Sequence, residues 1–250
     1  MGVRRRQILW GLAAMALSGA VYVLTLVQPQ EAVPAAAERL TQAVEMQPLC
    51  GTAIEMDVFE TAEEARIGAG RMVGRGSAGY VHEDGGYRVL GTMMDTHEEA
   101  EKMREKLNAA GIAAECYGVS GEGLTLKVTA AQSQIDALTD AIHAVDMAAV
   151  QPGRIAGQLD SAEIDGDRAR GLVAMLVSDL ETAQADFRDT GAQGALSERL
   201  DGLMSEAIDM LEPLTEDGGE RNLMLAGEIR CAGMAVWFAR EEMIAALKGE

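Results

Sequence analysis

A motif that occurs twice, at residues 58–65 and again at 93–100, constrains the fold more than any other feature of the sequence. Each copy consists of two apolar residues, an acid and then Thr-x-Glu-Glu-Ala. Thr-x-x-Glu is a capping box, in which the threonine hydroxyl accepts from the backbone N–H three residues later. The two copies therefore predict that a strand ends and a helix begins at Thr61 and again at Thr96. A duplicated strand–helix unit is typical of a split βαβ sheet.

The apolar pattern around the two motifs predicts a βαββαβ module. Strands are expected at about 53–59, 79–82, 87–93 and 112–119, and helices at about 61–73 and 97–110. A Gly-Glu-Gly turn then leads to a fifth strand at about 124–129, and a third capping box at Thr129 begins another helix. We expect the fifth strand to pair with the edge of the fourth and cover it.

Strand patterns cease at about residue 156, and helical patterns replace them. Apolar stripes with helical spacing lie at 162–189, 196–211 and about 218–247, and glycine or proline separates them. The stripes predict an antiparallel bundle of three helices, or of four if the preceding helix joins it.

The N-terminal sequence is typical of a membrane anchor. Three arginines at 4–6 precede twenty uncharged residues at 8–27, which is the length of a bilayer-spanning helix. The basic flank predicts a cytoplasmic N-terminus, with the bulk of the chain extracytoplasmic. The alternative is a cleaved signal peptide with a small-residue cleavage site at 35–37, although its apolar core would be unusually long.

The charge of the chain excludes some classes of partner. The formal net charge is −19. Such a surface repels the phosphates of nucleic acids and disfavours electrostatic docking to anionic lipid. We therefore expect no nucleic-acid partner.

The reactive side chains form no recognisable catalytic or metal motif. His82, His97 and His143 lack metal-ligand spacing, and the three cysteines fit neither a zinc pattern nor a redox pair. A disulfide between Cys50 and Cys116 and small buried thiols are the two alternatives for the cysteines. We predict that the protein is not an enzyme and has no cofactor and no metal. A hydrolase with paired carboxylates in a deep pocket is a third hypothesis.

If both helices of the module cover one face of the sheet, the opposite face is free to bind a ligand. Arg88 on that face offers a fork of donors, and Tyr117 offers a ring on which a sugar can stack. Strand alternation places six candidate binding residues there: Glu55, Asp57, Arg88, Leu90, Glu115 and Tyr117.

Several segments of 53–119 share the pattern of a known domain. An apolar strand ends in an aromatic residue at Phe59, Tyr-Arg-Val occurs at 87–89, and Leu-Asn-Ala-Ala-Gly-Ile at 107–112 closes the second helix. Together with the two Thr-x-Glu-Glu-Ala helix starts, these segments resemble a SPOR (sporulation-related repeat) domain over about a quarter of the chain. A single-span anchor ahead of the module is also typical of that family.

The resemblance implies binding to septal peptidoglycan, specifically to glycan strands stripped of their stem peptides. It also implies a role in cell division or sporulation. The six residues of the open face then become the candidate glycan-binding residues.

The predicted fold class is α+β: a ferredoxin-like split βαβ sheet with an appended βα unit, then an all-α bundle, with one N-terminal transmembrane helix. The corresponding domains are a basic tail at 1–7, the transmembrane helix at 8–27, a linker at 28–48, the SPOR-like domain at 49–150 and the acidic bundle at 151–250.

This organisation predicts a membrane-anchored, non-catalytic envelope protein. Its SPOR-like domain would bind septal or sporulation peptidoglycan, and its bundle would bind an envelope protein partner. The alternative is an extracytoplasmic scaffold for protein–protein interactions in division or sporulation, with no glycan binding.

Overall fold

The structure is a computed structural model that describes residues 21–25, 39–216, 218–219 and 221–249. Within these ranges the chain forms two small sheets and six α-helices. The strands are β1 (Val21–Thr25), β2 (Leu40–Met46), β3 (Cys50–Phe59), β4 (Tyr80–Glu83), β5 (Tyr87–Met94), β6 (Glu115–Ser120) and β7 (Leu124–Ala130). The helices are α1 (Ala62–Val73), α2 (His97–Ala109), α3 (Gln132–Asp160), α4 (Gly166–Asp189), α5 (Ala195–Leu211) and α6 (Asn222–Gly249).

The first sheet is built from the duplicated motif. Its strand order is β4-β5-β3-β6, and every neighbouring pair is antiparallel. α1 packs on Val89 and α2 packs on Ile54, and both side chains point to the same face of the sheet. The two helices therefore cover one face, as the sequence pattern predicts.

The predicted helix starts at Thr61 and Thr96 are confirmed. The backbone N–H of Glu64 donates to Thr61 Oγ1 at 3.3 Å, and that of Glu99 donates to Thr96 Oγ1 at 3.2 Å. Each threonine hydroxyl donates in turn to the glutamate carboxylate at 2.9 Å. The third predicted capping box is wrong, because Thr129 lies within β7 and α3 begins after Ala131.

The predicted fold class is wrong about the fifth strand. β7 does not pair with β6 but forms the centre of a second sheet, in the order β1-β7-β2. Its partner β2 lies in the predicted linker, where Val44 and Met46 alternate with exposed residues and are buried. β7 buries the alternate residues Leu124 and Leu126 in the main core, and Val44 and Met46 of β2 are buried in the same core.

The predicted transmembrane helix is the second error in the fold class. Most of residues 8–27 lie outside the described residues, but the described segment 21–25 is strand β1, which runs parallel to β7. None of the helices in the described part of the chain is both long enough and apolar enough to cross a membrane. The structure is thus α+β with two sheets.

Four long helices, α3 to α6, form the bundle. α3 contains Pro152, and Gly233 of α6 lies directly against this proline, where a Cβ atom would be 2.8 Å from the proline Cβ. A glycine at this position lets the two helix backbones approach closely. α3 and α6 both contribute to the one large apolar core that also contains the buried face of β7.

The sheet face opposite α1 and α2 is covered by α6. Phe238 stacks on Tyr80 with ring centroids 5.1 Å apart and on His82 with centroids 4.1 Å apart. Ala53 and Leu90 on the same face are fully buried. Burial lowers the pKa of His82, which favours the neutral ring against Phe238. The face that the sequence predicts to be open is therefore largely closed.

Candidate functional site

Three of the six predicted binding residues, one each on β3, β5 and β6, meet in a polar cluster on the first sheet. The Arg88 guanidinium pairs with the Glu55 carboxylate and lies over the Tyr117 ring, with Cζ 4.7 Å from the ring centroid. The Tyr117 hydroxyl donates to Asp84 Oδ2 at 2.7 Å, and Arg88 Nε donates to the backbone carbonyl of Asp84 at 3.1 Å. Asp84 is a member of the cluster that the sequence pattern did not indicate.

In this cluster, the side chains that were expected to bind a glycan already bond to other residues of the protein. The guanidinium covers one side of the Tyr117 ring, and its donors are directed to Glu55 and Asp84. Burial, followed by the hydrogen bond to Asp84, raises the pKa of Tyr117 to about 12, so the phenol stays protonated at neutral pH. The cluster joins the β4–β5 turn to β6, which is a structural role.

The other three predicted residues do not join the cluster. Leu90 is fully buried in the main core and is out of reach of a ligand in solvent. Asp57 lies on the opposite face, because β3 has an extra residue at Met56 and a shift by one residue exchanges the two faces. Glu115 is exposed and lies 4.0 Å from Arg104 of α2.

A cavity lies beside two irregular positions in the centre of the first sheet, on the side of α1 and α2. The register of β3 and β5 shifts twice, so that Met56 and Gly91 are unpaired residues on facing strands. α1 and α2 pack on the sheet as two separate apolar clusters. Beside these positions lies a cavity of about 190 Å³, here called the methionine cavity. Its apolar walls include Ile54, Met56, Met72, Met103, Leu107 and Ile112.

The methionine cavity also has polar lining residues. Arg75 and Ser77 come from the α1–β4 loop, Asp160 from the end of α3 and Arg230 from α6. The Arg230 guanidinium pairs with Asp160 and donates to the Gly76 carbonyl at 3.0 Å, which places it beside Ser77. Arg75 is exposed and has no ion pair with any residue that the structure describes.

Two donors among these polar residues have no hydrogen-bond partner within the described ranges. They are Ser77 Oγ and Arg230 Nε, and both atoms are buried. Trp237 Nε1 is a third such atom, and Trp237 lines a neighbouring cavity of about 200 Å³ to which Arg230 also contributes. Buried polar groups are nearly always paired in folded proteins. Because these atoms have almost no accessible surface, an acceptor in the cavity could reach them only after neighbouring side chains move.

Sequence reasoning missed this site because its parts are far apart along the chain. The α1–β4 loop approaches α6 at Gly227, where a Cβ atom would be 2.8 Å from the Ser77 carbonyl oxygen. Only this close approach brings Arg230 to the end of α1. The one signal in the sequence was the count of 15 methionines, which gives no indication of where they gather.

The cysteines form no disulfide. All three are free, and the β3–β6 register pairs Cys50 with Ser120 and Cys116 with Ile54. The two cysteines are thus four residues apart along the ladder, about 13 Å, which is too far for a disulfide. Cys116 instead faces α2, and burial followed by the nearby Glu101 raises the pKa of its thiol.

No family model, curated protein or solved structure matches this chain. The resemblance to a SPOR domain therefore stays a prediction from the sequence, and functional inference rests on the geometry of the described residues.

Proposed function

We propose that the chain is a non-catalytic binding protein whose ligand is a compact apolar molecule with an anionic group, bound in the methionine cavity. The observation that carries this proposal is the pair of buried, unpartnered donors, Ser77 Oγ and Arg230 Nε, at residues that line an otherwise mostly apolar cavity. Small-molecule sites commonly combine apolar walls with a few polar groups that orient the ligand.

The size of the cavity limits the apolar part of the ligand. A dry cavity of about 150 Å³ holds a benzene molecule. The methionine cavity, at about 190 Å³, therefore suits a single ring or a short acyl chain. Methionine side chains are unbranched and adapt their shape to a ligand, so Met56, Met72 and Met103 can move to admit one and uncover the buried donors.

The charges at the cavity favour an anion. Arg230 and Arg75 both line it in a chain whose net charge is −19, and Asp160 neutralises only part of this local positive charge. A carboxylate accepts hydrogen bonds from both a guanidinium and a hydroxyl, and charge-assisted hydrogen bonds are the stronger kind.

Isothermal titration of the full chain with straight-chain carboxylic acids tests the proposal, with the matching primary alcohols as uncharged probes. We expect saturable binding of an acid with a short chain and weaker binding of its alcohol. Ser77→Ala should weaken binding by about fivefold, and Arg230→Gln by tenfold or more, because charged hydrogen bonds contribute about 1.5–3 kcal/mol. In spectra of methyl-labelled methionine, the signals of Met56, Met72 and Met103 should shift.

Arg71→Gln is the matched control, because Arg71 is an exposed arginine of α1 that does not line the cavity. It should leave binding unchanged. If no acid moves the three methionine signals, or if the two cavity variants bind as well as the parent chain, the proposal fails.

Glycan binding and an envelope location stay predictions from the sequence. The geometry favours the methionine cavity over the sheet face, because α6 covers much of that face and Arg88 is already paired with Glu55. Binding of a protein partner by the bundle also stays a prediction.

A further inference from the structure

Three potential metal ligands meet between α2 and β6, outside the methionine cavity. His97 is the first residue of α2, Glu101 lies one turn later, and Cys116 is the second residue of β6. One ligand atom from each residue lies within 4.8 Å of the other two. Residues four apart on a helix share a face, which explains how His97 and Glu101 point to the same neighbour.

The orientation of each side chain is fixed by its element. Cys116 pairs with Ile54 in the β3–β6 ladder, so it points to the sheet face on which α2 packs. His97 Nε2 lies 3.6 Å from Glu101 Oε1. Arg104 Nη2 lies 2.5 Å from the other carboxylate oxygen, Oε2, and holds the Glu101 side chain in place.

We infer that His97, Glu101 and Cys116 form a site for a divalent transition metal, with Zn²⁺ as the best match. Imidazole nitrogen, carboxylate oxygen and thiolate sulfur are the ligands that Zn²⁺ takes in proteins. The thiolate and the carboxylate balance the two charges of the ion. The His97 side chain is 70% exposed, so the open side of the site leaves room for a water molecule as the fourth ligand.

The chemistry of the site separates it from a magnesium or calcium site. Those ions prefer a full set of oxygen ligands, and a thiolate is a poor partner for them. The site also differs from the acidic surface in general, because two of its three ligands are a histidine and a cysteine, and the chain has only three of each.

Titration of the chelator-treated full chain with Co²⁺, a spectroscopic substitute for Zn²⁺, tests the inference. We expect one Co²⁺ per chain, a thiolate-to-cobalt charge-transfer band, and displacement of Co²⁺ by Zn²⁺. Cys116→Ser should abolish the band. His97→Gln and Glu101→Gln should each weaken Co²⁺ binding by about tenfold or more, since each removes one of three ligands.

Matched controls exist for both ligand types. Cys50→Ser and His143→Gln should leave the band and the affinity unchanged, and Arg230→Gln should do the same because it lies in the methionine cavity. Absence of the band in the parent chain, or its persistence in Cys116→Ser, overturns the inference. Should Cys116→Ser fail to fold, the exposed His97→Gln decides, and unchanged affinity in that variant also overturns it.

Discussion

At the scale of single residues, Arg240 shows how a charged side chain holds the molecule together. Its side chain is fully buried. Nε donates to Asp146 Oδ1 of α3 at 2.6 Å, Nη1 to Glu241 Oε1 at 2.7 Å, and Nη2 to the carbonyl of Gln47, between β2 and β3, at 2.7 Å. Burial raises the pKa of Asp146, and the Arg240 charge opposes that rise. Arg240 therefore links both sheets to the bundle.

Arg240→Met should cost about 3 kcal/mol near neutral pH, because it leaves the largely buried Asp146 carboxylate without its cation. The pKa of Asp146 should rise further in this variant. A raised folded-state pKa favours the protonated form, so the cost develops as pH rises through that pKa and fades below the unfolded value of about 4. Urea unfolding of the parent chain and the variant, near neutral pH and near pH 4, measures the loss of stability at each pH. An equal loss at the two pH values contradicts the explanation. The control Arg240→Met with Asp146→Leu should regain the part of the loss that comes from Asp146, while Glu241 and the Gln47 carbonyl still lack their donor.

At the scale of elements, β2 offers a direct test of the second sheet. Val44 is buried and pairs with Leu126, whereas its neighbour Ala43 is exposed. Val44→Asp should destabilise the fold by 3 kcal/mol or more, since it buries an unpaired charge, while Ala43→Asp should cost less than about 1 kcal/mol. Chemical denaturation measures the free energy of unfolding of each variant against the parent chain. Equal, small effects would mean that residues 40–46 behave as the linker that the sequence analysis predicted.

The same elements show how far local sequence can predict this fold. Thr61 and Thr96 cap their helices because a capping box involves only neighbouring residues, and those predictions are confirmed. The pairing of β7 with β2 was missed because register depends on which distant strand buries the same face. Strand alternation also misplaced one candidate binding residue: the extra residue Met56 moves Asp57 to the other face, and alternation alone does not show such irregularities.

At the scale of the whole molecule, α6 is shared between the sheet and the bundle. Phe238 lies against Tyr80 and His82 of β4, and it belongs to the same apolar core as Phe187 of α4. Burial, with a smaller contribution from Glu242, raises the pKa of Tyr80 to about 12. A single continuous core predicts that the first sheet and the bundle unfold together, as one cooperative unit.

Phe238→Ala and Phe187→Ala test this prediction as a matched pair. Each removes a buried ring and should cost about 3–5 kcal/mol. If the chain unfolds as one unit, each variant should reduce protection against amide exchange in β5 and in α4 by the same amount, because exchange from both elements then requires global unfolding. Phe187 belongs to α4, a helix of the bundle. Loss of protection in α4 with β5 unchanged in Phe187→Ala would show instead that the sheet and the bundle are two independently stable domains, with α6 docked between them.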